Sequence, residues 1–253
     1  MTTTTTPTTT PWLRRFHPTD RAPVRLFCLP HAGGAASYYF PVSRALSPAA
    51  DVVAVQYPGR QDRRHETCVD DVRQLADLVT AEMLPWCDRP VALFGHSLGA
   101  TLGFEVASRL EAAGTVPVTL FASGRRAPSR PRENERVHQA PDAQLLQTIR
   151  RMSGTDPAVL ADEELLRSIL PAIRADYRAA ETYRYRPGPP LTCPIDVLNG
   201  TEDPEVTQAE AAAWTTHTTA ATTFHSYEGG HFYLNDHAPA VIAHIRARLA
   251  ELA

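Results

Sequence analysis

Val91-Ala92-Leu93-Phe94-Gly95-His96-Ser97-Leu98-Gly99-Ala100 runs from an apolar stretch through Gly-x-Ser-x-Gly into a helical pattern. A strand that turns this sharply into a helix has room only for small residues two positions on either side of the serine, hence Gly95 and Gly99. Such a nucleophile elbow lifts the Ser97 hydroxyl clear of a sheet. It also sets that hydroxyl at a helix N-terminus, where backbone N–H groups favour developing negative charge.

Outward from this point the same rhythm repeats. Short, mostly continuous apolar runs at 24–29, 52–57, 91–94, 118–122, 195–198 and 223–227 read as strands covered on both faces. Helical patterns at 37–46, 71–84, 98–113 and from about Ala238 lie between or after them. The last puts Val241, Ile242, Ile245, Leu249 and Leu252 on one stripe, with Asp236 as the expected N-cap. Alternation of this kind predicts an α/β fold, a mostly parallel sheet flanked by helices. Residues 125–190 break the rhythm. They hold no convincing strand and two helical patterns, the second with Leu165, Leu166, Ile169, Ile173 and Tyr177 at helical spacing and Pro171 expected to kink or divide it. An insertion of helices between two strands is a candidate lid over a site.

A serine hydroxyl needs a base to become a nucleophile, and the base in this chain order lies downstream, near the last strand. His231 fits best among the ten histidines, following the flexible pair Gly229-Gly230. His225 falls within a strand, His237 and His244 fall in or near the last helix, His96 reads as packing or hydrogen bonding beside the elbow, and His31 reads as a structural histidine that fixes its loop through hydrogen bonds. The acid that orients the base belongs in the loop after the preceding strand. Asp196 lies too far upstream there; Asp203 and Glu202 both remain, with Asp203 preferred on position. Two backbone donors are expected for an oxyanion: the N–H of Leu98, and that of Ala32 in the loop Leu29-Pro30-His31-Ala32-Gly33-Gly34.

Composition narrows the classes. The 253 residues are 43% hydrophobic and 21% charged, with a formal net charge of −3, which disfavours a nucleic-acid binder driven by phosphate attraction. All 25 basic residues are arginine. Schiff-base chemistry and a Walker-type lysine are therefore excluded, and coding bias in a GC-rich genome accounts for the missing lysine. Cys28, Cys68, Cys87 and Cys193 show no metal-ligand spacing, so no metal is expected and a reduced, cytoplasmic protein is. Neither a secretory signal nor a membrane span is legible. Residues 1–11 are Thr/Pro low complexity. The division expected is a disordered tail over 1–20, an α/β core over 21–124 and 191–253, and a helical lid over 125–190.

Taken together, Leu29-Pro30-His31-Ala32-Gly33-Gly34, Gln56-Tyr57-Pro58-Gly59-Arg60 with Asp62-Arg63, Gly95-His96-Ser97-Leu98-Gly99-Ala100 and Gly229-Gly230-His231-Phe232 resemble the type II thioesterases. These are free-standing editing hydrolases that accompany polyketide and nonribosomal peptide synthases. The likeness runs over about residues 20–252. It implies an α/β-hydrolase fold, a Ser97–Asp203–His231 triad, an oxyanion hole from Ala32 and Leu98, no cofactor, and acyl or peptidyl carrier proteins as partners of a monomeric enzyme. The acid is the place where the sequence departs from the family, Pro204 following directly on Glu202-Asp203. A carboxylesterase or lipase using the same residues is the alternative. Finally, Arg125, Arg126, Arg130, Arg132 and Arg136 cluster at the start of the insertion and suggest a docking site for an acidic carrier, whereas Asp196 to Glu210 holds five carboxylates and no arginine.

Overall fold

The computed structural model describes residues 10–133, 135–152 and 163–252. Seven strands form one sheet: β1 Leu13–Arg14, β2 Arg25–Leu29, β3 Asp51–Val55, β4 Val91–His96, β5 Thr119–Ser123, β6 Ile195–Gly200 and β7 Thr222–Tyr227. Their order is β1-β3-β2-β4-β5-β6-β7. All neighbours are parallel except β1, which runs antiparallel to β3. The helices described are α1 Phe40–Leu46, α2 Val72–Met83, α3 Leu98–Ala112, α4 Asp142–Met152, α5 Glu163–Thr182, α6 Gln208–Ala212, α7 Tyr233–Asp236 and α8 Ala238–Leu252.

The continuous apolar runs are explained by cover on both faces. Within β2, Phe27 and Leu29 join one core with Leu75 and Val79 of α2 and Leu102 and Val106 of α3. Leu26 and Cys28 point the other way, into a second core with Leu46 of α1 and Val241, Ile245 and Leu249 of α8. Period-two alternation thus supplies two cores from one apolar run. Two helix starts are capped by side chains: Asp71 accepts from the Gln74 N–H at 2.9 Å at the head of α2, and Thr207 and Glu210 form a capping box on α6.

Four expectations change. Residues 10–20 are not tail: β1 pairs Leu13 with Val55, Trp12 and Leu13 are buried, and the Arg63 guanidinium stacks 4.2 Å over Trp12. A two-residue strand has no periodicity to read, and it forms because the edge of β3 offers unpaired backbone groups. Residues 1–9 lie outside the described residues. Pro171 does not divide α5, which runs through it with that residue exposed. Leu165 leaves the expected stripe, 41% exposed, while Leu170 takes a buried place. Asp236 ends α7 rather than capping α8.

Between β5 and β6 the described residues contain α4 and α5 and no strand, as the pattern of 125–190 indicates. Leu145 and Ile149 of α4 meet Leu170 and Ile173 of α5 in a small apolar cluster of their own. No helix among the described residues is long and apolar enough to cross a membrane, and all four cysteines are free.

Candidate active site

Ser97 stands between β4 and α3 with φ 55° and ψ −116°, a left-handed backbone that a serine adopts at a cost of about 1–3 kcal/mol. Its N–H is held by the Ser123 carbonyl of β5 at 2.9 Å. Side chains at the flanking glycines cannot be accommodated: a Cβ on Gly95 would lie 2.0 Å from the Gly99 carbonyl oxygen, and one on Gly99 would lie 2.0 Å from that of Leu29. The pentapeptide is therefore dictated by backbone packed on backbone.

The loops after β6 and β7 meet beside it. Thr201 N–H donates to the Tyr227 carbonyl at 2.8 Å and Glu202 N–H to that of Gly229 at 2.9 Å, which brings the two loop segments into register. Asp203 then faces His231: Nδ1 lies 2.8 Å from Oδ2 and 3.1 Å from Oδ1, with both residues buried. Asp203 Oδ1 also accepts the Glu205 N–H at 2.8 Å. Glu202 is exposed. Asp196 is buried elsewhere, accepting from Thr119 and Thr223 hydroxyls at 2.6 Å and pairing with Arg248 at 3.2 Å. Of the three carboxylates in this stretch, Asp203 is the one in contact with a histidine that also faces the serine's cavity. Ser97 Oγ and His231 are not hydrogen-bonded to each other here, an arrangement common before substrate binds and tightens the contacts.

Ala32 and Leu98 line the same cavity as Ser97 and His231. Neither of their N–H groups donates in any hydrogen bond among the described residues, which leaves both free for an incoming oxygen. His31 departs from expectation. Its Nδ1 has no partner among the described residues, and the ring instead packs edge-on against Tyr38 and Phe232. His96 is a buried hydrogen-bonding residue as expected, its Nδ1 2.9 Å from Ser123 Oγ, which in turn contacts the Tyr233 hydroxyl at 2.6 Å. Phe232 was not singled out beyond its place in the motif; its ring sits against His31, His96 and His231 and fills the space among them.

This cluster has a pH signature. Burial, with the nearby His231 and Arg60, pushes His31 down to about 3; burial, with His231 and His31, holds His96 well below the ordinary value; away from this cluster, against Phe104 and Trp214, burial pushes His217 down to about 4. Unfolded histidines bind a proton near pH 6.5 while these folded ones do not, so the unfolded chain gains protons first as the pH falls. The contribution of these neutral rings to stability is complete above about pH 6.5 and is lost progressively as the pH falls from there towards about 3. The urea midpoint should thus be lower at pH 5.5 than at pH 7.5. Equal midpoints would mean that these rings are not held neutral.

The cavity measures about 650 Å³. Core residues form its floor, and Ile149 and Met152 of α4 with Ile173 and Tyr177 of α5 form the opposite wall. Arg125 also lines it, donating from Nε to Thr101 Oγ1 at 2.9 Å; burial and Arg126 push its guanidinium down to about 10. The arginine cluster is consequently not a free surface patch. Arg126 is buried and paired with Glu135, and Arg132 grips Glu210 through two bonds of 2.9 Å. Arg132 thus meets Glu210, 78 residues further along the chain, while Arg130 and Arg136 stay exposed. A separate group, Asp196, His225 and His244, has its ligand-type atoms within 4.8 Å of one another, but Arg248 already supplies a cation to that carboxylate.

A mostly parallel sheet flanked by helices, with a serine at the strand-to-helix turn after β4, is the α/β-hydrolase arrangement. Residues 24–249 match the Thioesterase domain family. The probable cadicidin biosynthesis thioesterase of Streptomyces griseus is 51% identical over 94% of this chain and 66% of its own length. Thioesterase PikA5 of Streptomyces venezuelae is 52% identical over 89% of this chain and 80% of its own. Among solved structures, the type II thioesterase BorB from the borrelidin biosynthetic cluster superposes with a TM-score of 0.90 at 51% identity, covering 94% of this chain and 97% of BorB. The chain belongs to the thioesterase family and is a thioester hydrolase.

Proposed function

We propose that the protein releases acyl groups held as thioesters on the phosphopantetheine arm of acyl or peptidyl carrier proteins, clearing stalled or misprimed chains from a polyketide or nonribosomal peptide synthase. The observation that carries this reading is one cavity lined by both Ser97 and His231, with His231 held from behind by Asp203. The names of the relatives support the setting.

In this reading Ser97 Oγ attacks the thioester carbonyl as His231 Nε2 takes its proton. The N–H groups of Ala32 and Leu98 receive the developing oxyanion, each contributing on the order of 3 kcal/mol to the transition state. The tetrahedral intermediate collapses, the C–S bond breaks, and the pantetheine sulfur leaves with the proton held by His231. Water then attacks the acyl-serine, again losing its proton to His231; the C–Oγ bond breaks as His231 returns that proton to Ser97 Oγ, and the carboxylic acid departs. Asp203 holds His231 Nδ1–H and so keeps Nε2 free to accept. The helical segment over 125–190 serves as the lid, α4 and α5 shaping the acyl end of the cavity. The enzyme works as a monomer in the reducing cytoplasm, with its cysteines as thiols.

The test compares turnover of an acyl group presented as a carrier-protein thioester with the same acyl group in a soluble oxygen ester. A higher kcat/KM for the carrier thioester is expected. Preference for the soluble ester would overturn the proposal in favour of a carboxylesterase.

A further inference from the structure

The segment Gln56-Tyr57-Pro58-Gly59-Arg60 supplies none of the reacting groups, yet it is tied to the loop that carries Ala32. Tyr57 donates its hydroxyl to the Pro30 carbonyl at 3.0 Å, and Arg60 Nη1 donates to the Gly34 carbonyl at 3.0 Å. The third tie comes from the helical insertion. On α5, Asp176 is 1% exposed and accepts the Gly33 N–H on Oδ2 at 2.7 Å. The same carboxylate is gripped from the other side by Arg60, Nη1 to Oδ2 at 2.6 Å and Nη2 to Oδ1 at 2.9 Å. One helical turn earlier, Ile173 occupies the space a side chain on Gly33 would need, 2.8 Å from the position of its Cβ. Gly33 itself has φ 77°. The glycine thus permits both the turn and the approach of α5.

We propose that Asp176, held by Arg60, is a positioning residue that sets the Ala32 N–H for the oxyanion, so that seating of α5 on the loop and completion of the oxyanion hole are one event. The inference rests on the proposed roles of Ala32 and Ser97. Its physical basis is that Ala32 lies between fixed points at Pro30, Gly33 and Gly34, and two of the three depend on the Asp176–Arg60 fork. Charge-assisted bidentate bonds in a buried place have narrow geometry. If α5 lifts, the Gly33 N–H loses its acceptor and Arg60 its counter-ion, and the loop is released with them. Neither Asp176 nor Arg60 lines the cavity, so their effect is expected on the rate rather than on ground-state binding.

The experiment uses Asp176→Asn and Arg60→Lys in the full chain. It measures kcat and KM on an acyl-pantetheine thioester, the rate of Ser97 labelling by a fluorophosphonate, and hydrogen exchange of the 31–34 amides. For Asp176→Asn, kcat should fall by about 100-fold, as for loss of an oxyanion donor, with KM changed less than about twofold. Labelling should slow in parallel and exchange over 31–34 should quicken. Arg60→Lys, which keeps the charge and loses the fork, should fall between Asp176→Asn and the wild type. A rise in KM with kcat retained would overturn the proposal, and so would a lower melting temperature with kcat, labelling and loop exchange unchanged. Should the wild type prefer oxygen esters, the substrate reading fails on its own, and the effect of Asp176→Asn on labelling and exchange still decides this inference.

Discussion

Replacing Ser97 with alanine is expected to lower kcat on an acyl thioester by about 10⁴–10⁶, leaving the residual rate that binding and backbone donors supply. The size follows from the proposed chemistry, in which the hydroxyl forms the covalent intermediate, and none of the described residues lining the cavity is a cysteine that could replace it. Alanine removes the oxygen alone. It keeps the helix start at Leu98, the Ser123 carbonyl bond to the residue-97 N–H and the cavity walls, so KM for substrate should change far less than kcat. Single-turnover kinetics with a chromogenic acyl thioester, beside a thermal melt, would measure both. Activity within tenfold of wild type in a folded Ser97→Ala protein would sink the covalent mechanism.

The second large effect is expected at Asp203. Asp203→Asn should lower kcat by about 10⁴, because it reverses the hydrogen bond that selects the histidine tautomer. Here the reversal is enforced by the fold. Oδ1 of residue 203 is engaged by the Glu205 N–H at 2.8 Å, so an asparagine keeps its oxygen there and turns its NH₂ towards His231 Nδ1, where Oδ2 stood at 2.8 Å. Nδ1 must then accept, Nε2 carries the proton, and the ring no longer removes a proton from Ser97. Glu202→Gln is the control, since Glu202 faces solvent. Comparable losses at the two positions, or loss at Glu202 alone, would show that the acid has been misassigned.

What could be read before folding and what could not divide along a physical line. Five of the six parallel strands were legible because strands covered on both faces demand continuous apolar runs, while the edge strand β7, half-exposed, was legible from its β-branched and aromatic residues; each appears within one or two residues of its expected ends. The turn at Ser97 was legible because backbone packed against backbone tolerates only glycine at 95 and 99. β1 was not legible, since two residues carry no period. The run of α5 through Pro171 was missed for a different reason: proline forbids one hydrogen bond, and an exposed position within a 20-residue helix tolerates that loss.

Charge behaved least as sequence reading expects. Arg125–Arg136 and the carboxylates at 205 and 210 look like two separate surfaces along the chain, and the tertiary fold pairs Arg132 of the first, which lines the cavity, with Glu205 and Glu210 of the second. Position in the sequence left Glu202 beside Asp203 as a candidate. Burial separated them, because the β6 and β7 loops bond to each other through their backbones and leave only one of two adjacent side chains facing inward. Asp176 had no local signal at all: its meaning lies in Arg60 and Gly33, which are brought to it from distant parts of the chain. The sequence by itself therefore determined the α/β rhythm and the elbow serine, which rest on periodicity and local sterics, and offered the histidine beyond the glycine pair and the thioesterase resemblance, which rest on chain order and on the likeness of four motifs. Only the tertiary structure decided which carboxylate meets His231, which arginines face the cavity and how α5 is fastened to the Ala32 loop, because each of these is a contact between residues that the chain itself keeps apart.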